Sequence, residues 1–317
     1  MKFNKILLIG VDEPKLGSSY WDRINSLTEN KVYLPKDDPQ IKENLKDADC
    51  LLVNFGINVT KEDIDAAPNL KYVGILATAF GKVDVAYAKE KGIVVCNLPA
   101  YSTESVAEWT IAAILETIRN LEEGKKRGRA GNVSEEGITA IEIKDKVFGV
   151  LGLGNIGTRV AELALGFNAD VRYWSRNKKE DAEAQGIKYE ELDDLISNAT
   201  FLSINLAQTP DTEKIFNQDR FNALKEGAIV VNTAPMELID LDALVERLKK
   251  GDITFIFDHS DEMVEEDLKK LIPFENCIVY PPIAYISSEA ALNKQEMFTS
   301  NIENFLTGAP RNIAEAN

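Results

Sequence analysis

The sequence has a single histidine and only three cysteines in 317 residues. The cysteines, Cys50, Cys96 and Cys277, are far apart, and their spacing is not that of metal ligands. A small odd number of scattered cysteines is typical of a reducing compartment, where they serve as small buried side chains. We therefore expect no bound metal. A catalytic thiol is disfavoured, because thiol catalysis needs a base nearby and the chain has one histidine.

Basic residues are also few: the chain has 36 lysines and arginines but 52 acidic residues, which gives a net charge of -16. This imbalance disfavours nucleic acid and anionic lipid as partners, since both are polyanions. No apolar run approaches the roughly 18 residues of a membrane span. The apolar stretch 6–9 is soon followed by Asp12 and Glu13, so it predicts a first β-strand and not a signal peptide. We expect a cytoplasmic protein without a membrane or nucleic-acid partner.

The chain is rich in short β-branched runs that alternate with amphipathic helical stretches, a pattern that predicts parallel sheets covered by helices on both faces. Its length exceeds the size at which one core usually stops growing, so we expect two domains. Strands are predicted in the first hundred residues at 5–11, 31–34, 50–54, 72–77 and 93–96. A second series of six strands is predicted at 147–151, 170–174, 201–205, 229–232, 253–257 and 277–280.

The helices between and after these series predict the domain boundaries. Residues 102–121 predict a long helix that begins with N-capping side chains, and the polar stretch 122–137 predicts a loop. The final helix, 289–306, follows a complete sheet of six strands, so we expect it to pack on the first domain. The prediction is a smaller, discontinuous, flavodoxin-like domain at 1–100 plus 286–317. A larger Rossmann dinucleotide-binding domain is predicted at 101–285.

The sharpest local motif is GLGNIG at 152–157, directly after a predicted strand and at the start of a helix. In this setting Gly152 permits a tight turn, Gly154 lets the backbone approach a pyrophosphate, and Gly157 allows helix and strand to pack closely. The helix N-terminus offers free N–H groups and partial positive charge to phosphates. The motif therefore predicts a dinucleotide site, the alternative being a purely structural glycine turn.

The end of the second strand of this domain bears on the choice of cofactor. An NAD site usually has an acidic residue there to hold the ribose 2′-hydroxyl, whereas this strand is followed by Ser175 and Arg176 and then by two lysines. A hydroxyl and a guanidinium could hold a 2′-phosphate. The residues favour NADP(H) over NAD(H), unless they form a solvated loop.

Several segments, in the expected order, resemble the D-isomer-specific 2-hydroxyacid dehydrogenase family, most closely its hydroxypyruvate/glyoxylate reductase and glycerate dehydrogenase branch. They are APNLK at 67–71, ILATAFGKVD at 75–84, NLPAYSTESVAE at 97–108, VNTA at 231–234 and the closing residues 301–308. The resemblance covers nearly the whole chain. It implies a substrate domain and a nucleotide domain that close over a cleft, and a homodimer formed largely through the nucleotide domains.

The resemblance also implies roles for individual residues. Backbone N–H groups of a substrate loop would bind the substrate carboxylate, and this loop comprises Ala77, Thr78, Ala79 and Phe80. Besides the glycines, residues implied as cofactor contacts are Thr103, Asn155, Ile156, Thr233 and Asp258, the last of these near the nicotinamide.

The chain departs from the family at two catalytic positions. Pro235 stands where the resemblance implies an arginine that binds and polarises the substrate, and Pro282 where it implies the proton-donating histidine. Glu262 is the nearest candidate for the glutamate that accompanies that histidine. A positioned acid contributes about 10²–10⁴ in rate. We therefore expect ordinary 2-oxo acid reduction close to background unless other groups substitute.

Two side chains are candidates for that substitution. His259 directly follows a predicted strand, at the edge where open α/β sheets bind their ligands, and its pKa would suit proton transfer. Lys82 lies beside the substrate loop and could supply a positive charge. The structural alternatives are a locally hydrogen-bonded loop histidine and an ordinary exposed lysine.

These observations leave two candidate functions open. One is a noncanonical NAD(P)-dependent oxidoreductase that acts on a 2-oxo or 2-hydroxy acid or another small carbonyl compound. The other is a catalytically inactive protein, a pseudoenzyme, that binds NADP(H) as a sensor or regulator. A small-molecule substrate or effector is expected in either case.

Overall fold

The computed structural model describes residues 1–315, which form two compact units. The terminal unit comprises Met1–Ser102 together with the chain from Ser287 onward, and the central unit comprises Thr103–Ile286. Within the described chain, no helix combines the length and the apolar character needed to cross a membrane.

The terminal unit is built on a parallel sheet of five strands in the order β2-β1-β3-β4-β5, which is the flavodoxin-like order. Its strands are β1 (Phe3–Ile9), β2 (Thr28–Leu34), β3 (Cys50–Val53), β4 (Tyr72–Ile75) and β5 (Val94–Cys96). Its helices are α1 (Ser18–Ser26), α2 (Ile41–Leu45), α3 (Lys61–Asp65), α4 (Val85–Glu90) and the last helix of the chain, α13 (Ser288–Leu306).

Every residue of β3 and β4 is buried, as expected for central parallel strands that are covered on both faces. Trp21 of α1 and Phe298 of α13 pack on one face of the sheet. Leu45, Ile64 and Ala88, from α2, α3 and α4, pack on the other. The last helix of the chain is therefore part of the core of the terminal unit.

The central unit has a parallel sheet of seven strands in the order β12-β11-β10-β9-β6-β7-β8, so the strand order reverses between β6 and β9. The strands are β6 (Val147–Leu151), β7 (Asp170–Trp174), β8 (Lys188–Tyr189), β9 (Phe201–Ile204), β10 (Ile229–Asn232), β11 (Thr254–Phe257) and β12 (Cys277–Val279). The helices are α5 (Thr103–Ile118), α6 (Leu121–Arg129), α7 (Asn155–Gly166), α8 (Glu180–Ala184), α9 (Leu192–Asn198), α10 (Gln218–Ala223), α11 (Leu241–Leu248) and α12 (Glu265–Leu271).

The predicted fold class, α/β with two doubly wound parallel sheets, is confirmed, but three local predictions were wrong. The central sheet has a seventh strand, β8, whose two residues are too few to form a recognisable pattern. Residues 122–129, predicted as part of a loop, belong to α6, where an ion pair of 2.7 Å between Glu123 and Arg127 links successive turns. The strand predicted at 31–34 begins at Thr28, because β2 is an edge strand and tolerates exposed polar residues.

All three cysteines are buried and unpaired. Burial raises the pKa of the Cys96 thiol to about 11 and that of Cys277 to about 12, so both are protonated at neutral pH. Among the described residues, no group of three or more His, Cys, Asp or Glu side chains could hold a metal ion.

Candidate functional site

The glycine motif forms a tight turn between β6 and α7. Gly152 has a φ of +91°, and its N–H donates a hydrogen bond of 2.8 Å to the carbonyl of Trp174. A Cβ at Gly152 would lie 2.8 Å from the Asn205 carbonyl oxygen, and a Cβ at Gly157 would lie 1.9 Å from the Gly152 carbonyl oxygen. The fold itself therefore requires glycine at both positions.

Gly154 differs from its two neighbours in the motif. Its φ is −83°, which any residue adopts, and a Cβ there would meet no protein atom within 4 Å. Gly154 and Asn155 are exposed at the N-terminus of α7, whose 12 residues direct free N–H groups and partial positive charge toward that space. The lack of a side chain at Gly154 leaves room for an anionic group close to the backbone, so the turn fits a dinucleotide pyrophosphate.

The two residues after β7 differ in accessibility. Ser175 is buried, and its hydroxyl donates a hydrogen bond of 2.5 Å to the carbonyl of Asn177 in its own loop. Arg176 has 71% of its side chain exposed, and its guanidinium lies 3.8 Å from the Asp211 carboxylate. The Arg176 guanidinium is therefore accessible to a ligand. The Ser175 hydroxyl already donates a hydrogen bond within its own loop. Asp211 was not among the predicted site residues, since only the fold brings it beside Arg176.

The turn after β10 is held by a buried asparagine. The Asn232 side-chain amide donates to the Ala234 carbonyl over 2.9 Å, and the Ala234 N–H donates to the Asn232 side-chain oxygen over 3.2 Å. The Thr233 hydroxyl donates to the side-chain oxygen of Asn205 over 3.2 Å. Pro235 follows this turn and has no N–H or polar side chain to offer a substrate.

The segment after β11 brings three ionisable residues together. The His259 Nε2 lies 3.2 Å from the Thr233 carbonyl oxygen, and Nδ1 lies 3.5 Å from a carboxylate oxygen of Glu262. The Oδ2 of Asp258 accepts a hydrogen bond of 3.0 Å from the Ala284 N–H, and its Oδ1 lies 3.9 Å from His259 Nε2. The structure thus gathers His259, Glu262, Thr233 and Asp258 at the carboxyl edge of the central sheet.

The charges in this cluster are coupled. Burial lowers the pKa of His259, but the nearby carboxylates of Glu262 and Asp258 raise it by more, so the net pKa is above the usual 6.5. The nearby His259 ring lowers the pKa of Glu262. Burial raises the pKa of Asp258, partly opposed by the hydrogen bond from Ala284. The Nε2 of His259 faces the Thr233 carbonyl oxygen, whereas its Nδ1 has no hydrogen-bond partner among the described residues.

The substrate loop follows β4 in the terminal unit. The Ala77 carbonyl accepts from the Leu98 N–H over 2.9 Å, and the Thr78 hydroxyl donates to the Leu98 carbonyl over 2.9 Å. Within residues 1–315, the N–H groups of Thr78, Ala79 and Phe80 have no hydrogen-bond acceptor. Lys82 is exposed, and in the same part of the chain its ammonium group has no carboxylate within ion-pair distance. The loop therefore offers free donors to an anion.

The remaining predicted residues lie at two helix starts and at one loop. Thr103 is the first residue of α5, and Ile156 is half-buried in the first turn of α7. Pro282 lies half-buried in the segment after β12, two residues before Ala284, whose N–H holds Asp258.

Comparison with known proteins gives consistent matches. A family profile described as "D-isomer specific 2-hydroxyacid dehydrogenase, NAD binding domain" matches residues 111–284. A hydroxypyruvate reductase of Blautia hydrogenotrophica is 30% identical over 315 residues, covering 94% of this chain and 95% of the relative.

Two solved structures share the architecture over nearly the full length. A D-lactate dehydrogenase from Aquifex aeolicus, complexed with NAD and lactic acid, is 27% identical, with a TM-score of 0.83 over 96% of each chain. An acyclic imino acid reductase, in complex with NADPH and D-Arg, is 26% identical, with a TM-score of 0.84 over 98% of this chain and 100% of the other.

Proposed function

The chain belongs to the D-isomer-specific 2-hydroxyacid dehydrogenase family and has its NAD(P)-binding domain, and from that premise we propose that it is an NADP(H)-dependent oxidoreductase with noncanonical catalytic groups. Its substrate is a small 2-oxo acid or a closely related C=O or C=N compound. The observation that carries the proposal is the turn at 152–157, where Gly154 leaves open a space that the fold does not fill.

The turn geometry and the family resemblance support the proposed cofactor contacts. The α7 N-terminus and Gly154 would receive the pyrophosphate, and Asn155, Ile156, Thr103 and Thr233 lie on the segments that the resemblance assigns to cofactor contacts. When bound, the nicotinamide supplies or accepts the hydride. The known relatives include proteins named for both NAD and NADPH complexes.

We propose NADP(H) because Arg176 is an exposed cation close to the end of β7. Arg176→Ala is expected to weaken NADPH binding about tenfold, since a charge-assisted hydrogen bond to phosphate is lost, and to change NADH binding by less than about twofold. Fluorescence titration with each cofactor measures both values. Arg119→Ala, which removes an exposed arginine at the end of α5, is the matched control and should change neither. Equal losses for the two cofactors would contradict the assignment of Arg176 to the 2′-phosphate.

The chain's own groups define what it does to a substrate. Within the terminal unit, the free N–H groups of Thr78, Ala79 and Phe80 and the exposed Lys82 offer donors and positive charge to an anion. Pro235 and Pro282 can neither polarise a carbonyl nor donate a proton. Within the central unit, His259 is the group in the cluster at the sheet edge that can protonate a carbonyl oxygen as hydride arrives at carbon.

The direct test is consumption of NADPH and NADH by the purified protein with hydroxypyruvate, glyoxylate and other small 2-oxo acids. We expect turnover above an enzyme-free blank, and faster turnover with NADPH than with NADH. Absence of turnover in a sample that binds NADPH would favour the second candidate, an NADP(H) sensor. The two prolines at the catalytic positions are the observation that supports that candidate.

A further inference from the structure

The loop that follows β9 borders the glycine turn of the central unit. The Asn205 N–H, at the start of this loop, donates a hydrogen bond of 2.8 Å to the Leu151 carbonyl at the end of β6. A Cβ at Gly152 would lie 2.8 Å from the Asn205 carbonyl oxygen and 2.9 Å from the Leu206 side chain. The loop therefore lies at the point where the strand order reverses, which is where open α/β sheets bind their ligands.

The far part of the same loop is a turn built around a buried hydroxyl. The Thr212 hydroxyl donates to the Ala207 carbonyl over 2.8 Å and accepts from the Thr209 N–H over 2.8 Å. The Thr212 N–H also donates to the Thr209 carbonyl over 3.0 Å. These bonds hold Asp211 in place through the backbone, without any contribution from its carboxylate.

The Asp211 carboxylate reaches the end of β7. It is 85% exposed and lies 3.8 Å from the Arg176 guanidinium, and within residues 1–315 it accepts no hydrogen bond. An exposed pair at this distance adds little to stability, so the fold does not depend on it. Both groups are accessible to a ligand.

This placement supplies a group that the end of β7 lacks. Dinucleotide-binding folds hold the adenosine ribose 2′-hydroxyl with an acidic residue at the end of the second strand, where this chain has Ser175 and Arg176. Resting on the proposed oxidoreductase function, we propose that Asp211 is a specificity-determining residue for the cofactor. Its carboxylate accepts a hydrogen bond from the ribose 2′-hydroxyl of NADH and repels the 2′-phosphate of NADPH.

The two cofactors meet this carboxylate with opposite chemistry. A phosphate monoester carries more than one negative charge at neutral pH, and a charge that binds Arg176 lies well within the Debye length of about 10 Å at 0.1 M salt from Asp211. NADH has a neutral hydroxyl donor instead. Asp211 therefore limits the preference for NADPH that Arg176 creates and keeps NADH usable.

Asp211→Asn tests the assignment, because asparagine removes the charge and leaves only a weaker, neutral acceptor. Fluorescence titration should show NADPH bound about fivefold more tightly and NADH about threefold more weakly than by the wild-type protein. Raising the ionic strength should reduce the gain for NADPH. Glu213→Gln, at an exposed carboxylate two residues along the same loop, is the matched control and should change both affinities by less than about twofold.

A second measurement locates the effect at the adenosine end of the cofactor. Calorimetry with adenosine 2′,5′-bisphosphate and with AMP, neither of which contains nicotinamide, should reproduce the opposite changes in affinity. A general loosening of the loop would instead weaken the binding of both nucleotides.

The outcomes separate this proposal from the function on which it rests. Unchanged affinities in Asp211→Asn, with a wild-type protein that binds and consumes NADPH, would overturn the role of Asp211 and leave the oxidoreductase standing. The same shifts in Glu213→Gln would also overturn it, since they would reflect net charge alone. A wild-type protein that binds neither cofactor would overturn both proposals.

Discussion

Replacing His259 with glutamine is expected to lower kcat/KM for 2-oxo acid reduction by about 10²–10⁴-fold, because the variant has no titrating group to protonate the carbonyl oxygen. Glutamine retains a donor for the Thr233 carbonyl, so the local structure should persist. Steady-state kinetics with NADPH and the best 2-oxo acid measures the loss. NADPH affinity should stay unchanged.

The pH dependence of the same reaction follows from the surroundings of His259. The ring is faced by Glu262, by Asp258 and by the neutral Thr233 carbonyl, and the two carboxylates raise its pKa above the usual 6.5 despite burial. Reduction needs the protonated ring, so kcat/KM should be constant at lower pH and fall as the pH rises through that raised value. Glu262→Gln should move the fall to lower pH.

A His259→Gln variant that keeps full 2-oxo acid activity would show that the proton comes from elsewhere.

Gly157→Ala is expected to destabilise the fold and abolish NADPH binding. Its Cβ would lie 1.9 Å from the Gly152 carbonyl oxygen, a backbone atom that cannot move without separating α7 from β6. Such overpacking costs about 1–3 kcal/mol or more in the free energy of unfolding. Urea denaturation and NADPH titration measure the two effects.

Gly154→Ala is expected to lower NADPH affinity without changing the stability of the fold. The space around a Cβ at Gly154 is open and its φ is ordinary, so the free energy of unfolding should change by less than about 0.5 kcal/mol. NADPH affinity should nevertheless fall about tenfold or more, about 1.4 kcal/mol, because the methyl group occupies the approach to the helix N-terminus. Gly166→Ala, at the open C-terminal end of the same helix, should change neither quantity. Unaltered affinity in Gly154→Ala would place the pyrophosphate elsewhere.

Much of the architecture was predictable because it depends on local patterns. Buried parallel strands are continuous apolar runs, as in Cys50–Val53 and Phe201–Ile204, and these were located within a residue or two. The two-residue strand β8 and helix α6 were missed because neither has an apolar pattern of its own. The edge strand β2 was shortened for the same reason, since its first half is polar.

The sequence by itself determined the α/β class, the position of the glycine turn and the loss of polar side chains at Pro235 and Pro282. Only the tertiary structure decided which groups meet at the sheet edge. Asn232 pairs with Phe257 in the parallel register of β10 and β11, and this brings Thr233 against His259, 26 residues further along the chain. Hydrogen-bond partners across strands depend on that register, so the unpartnered Asp258 oxygen became visible only in the fold.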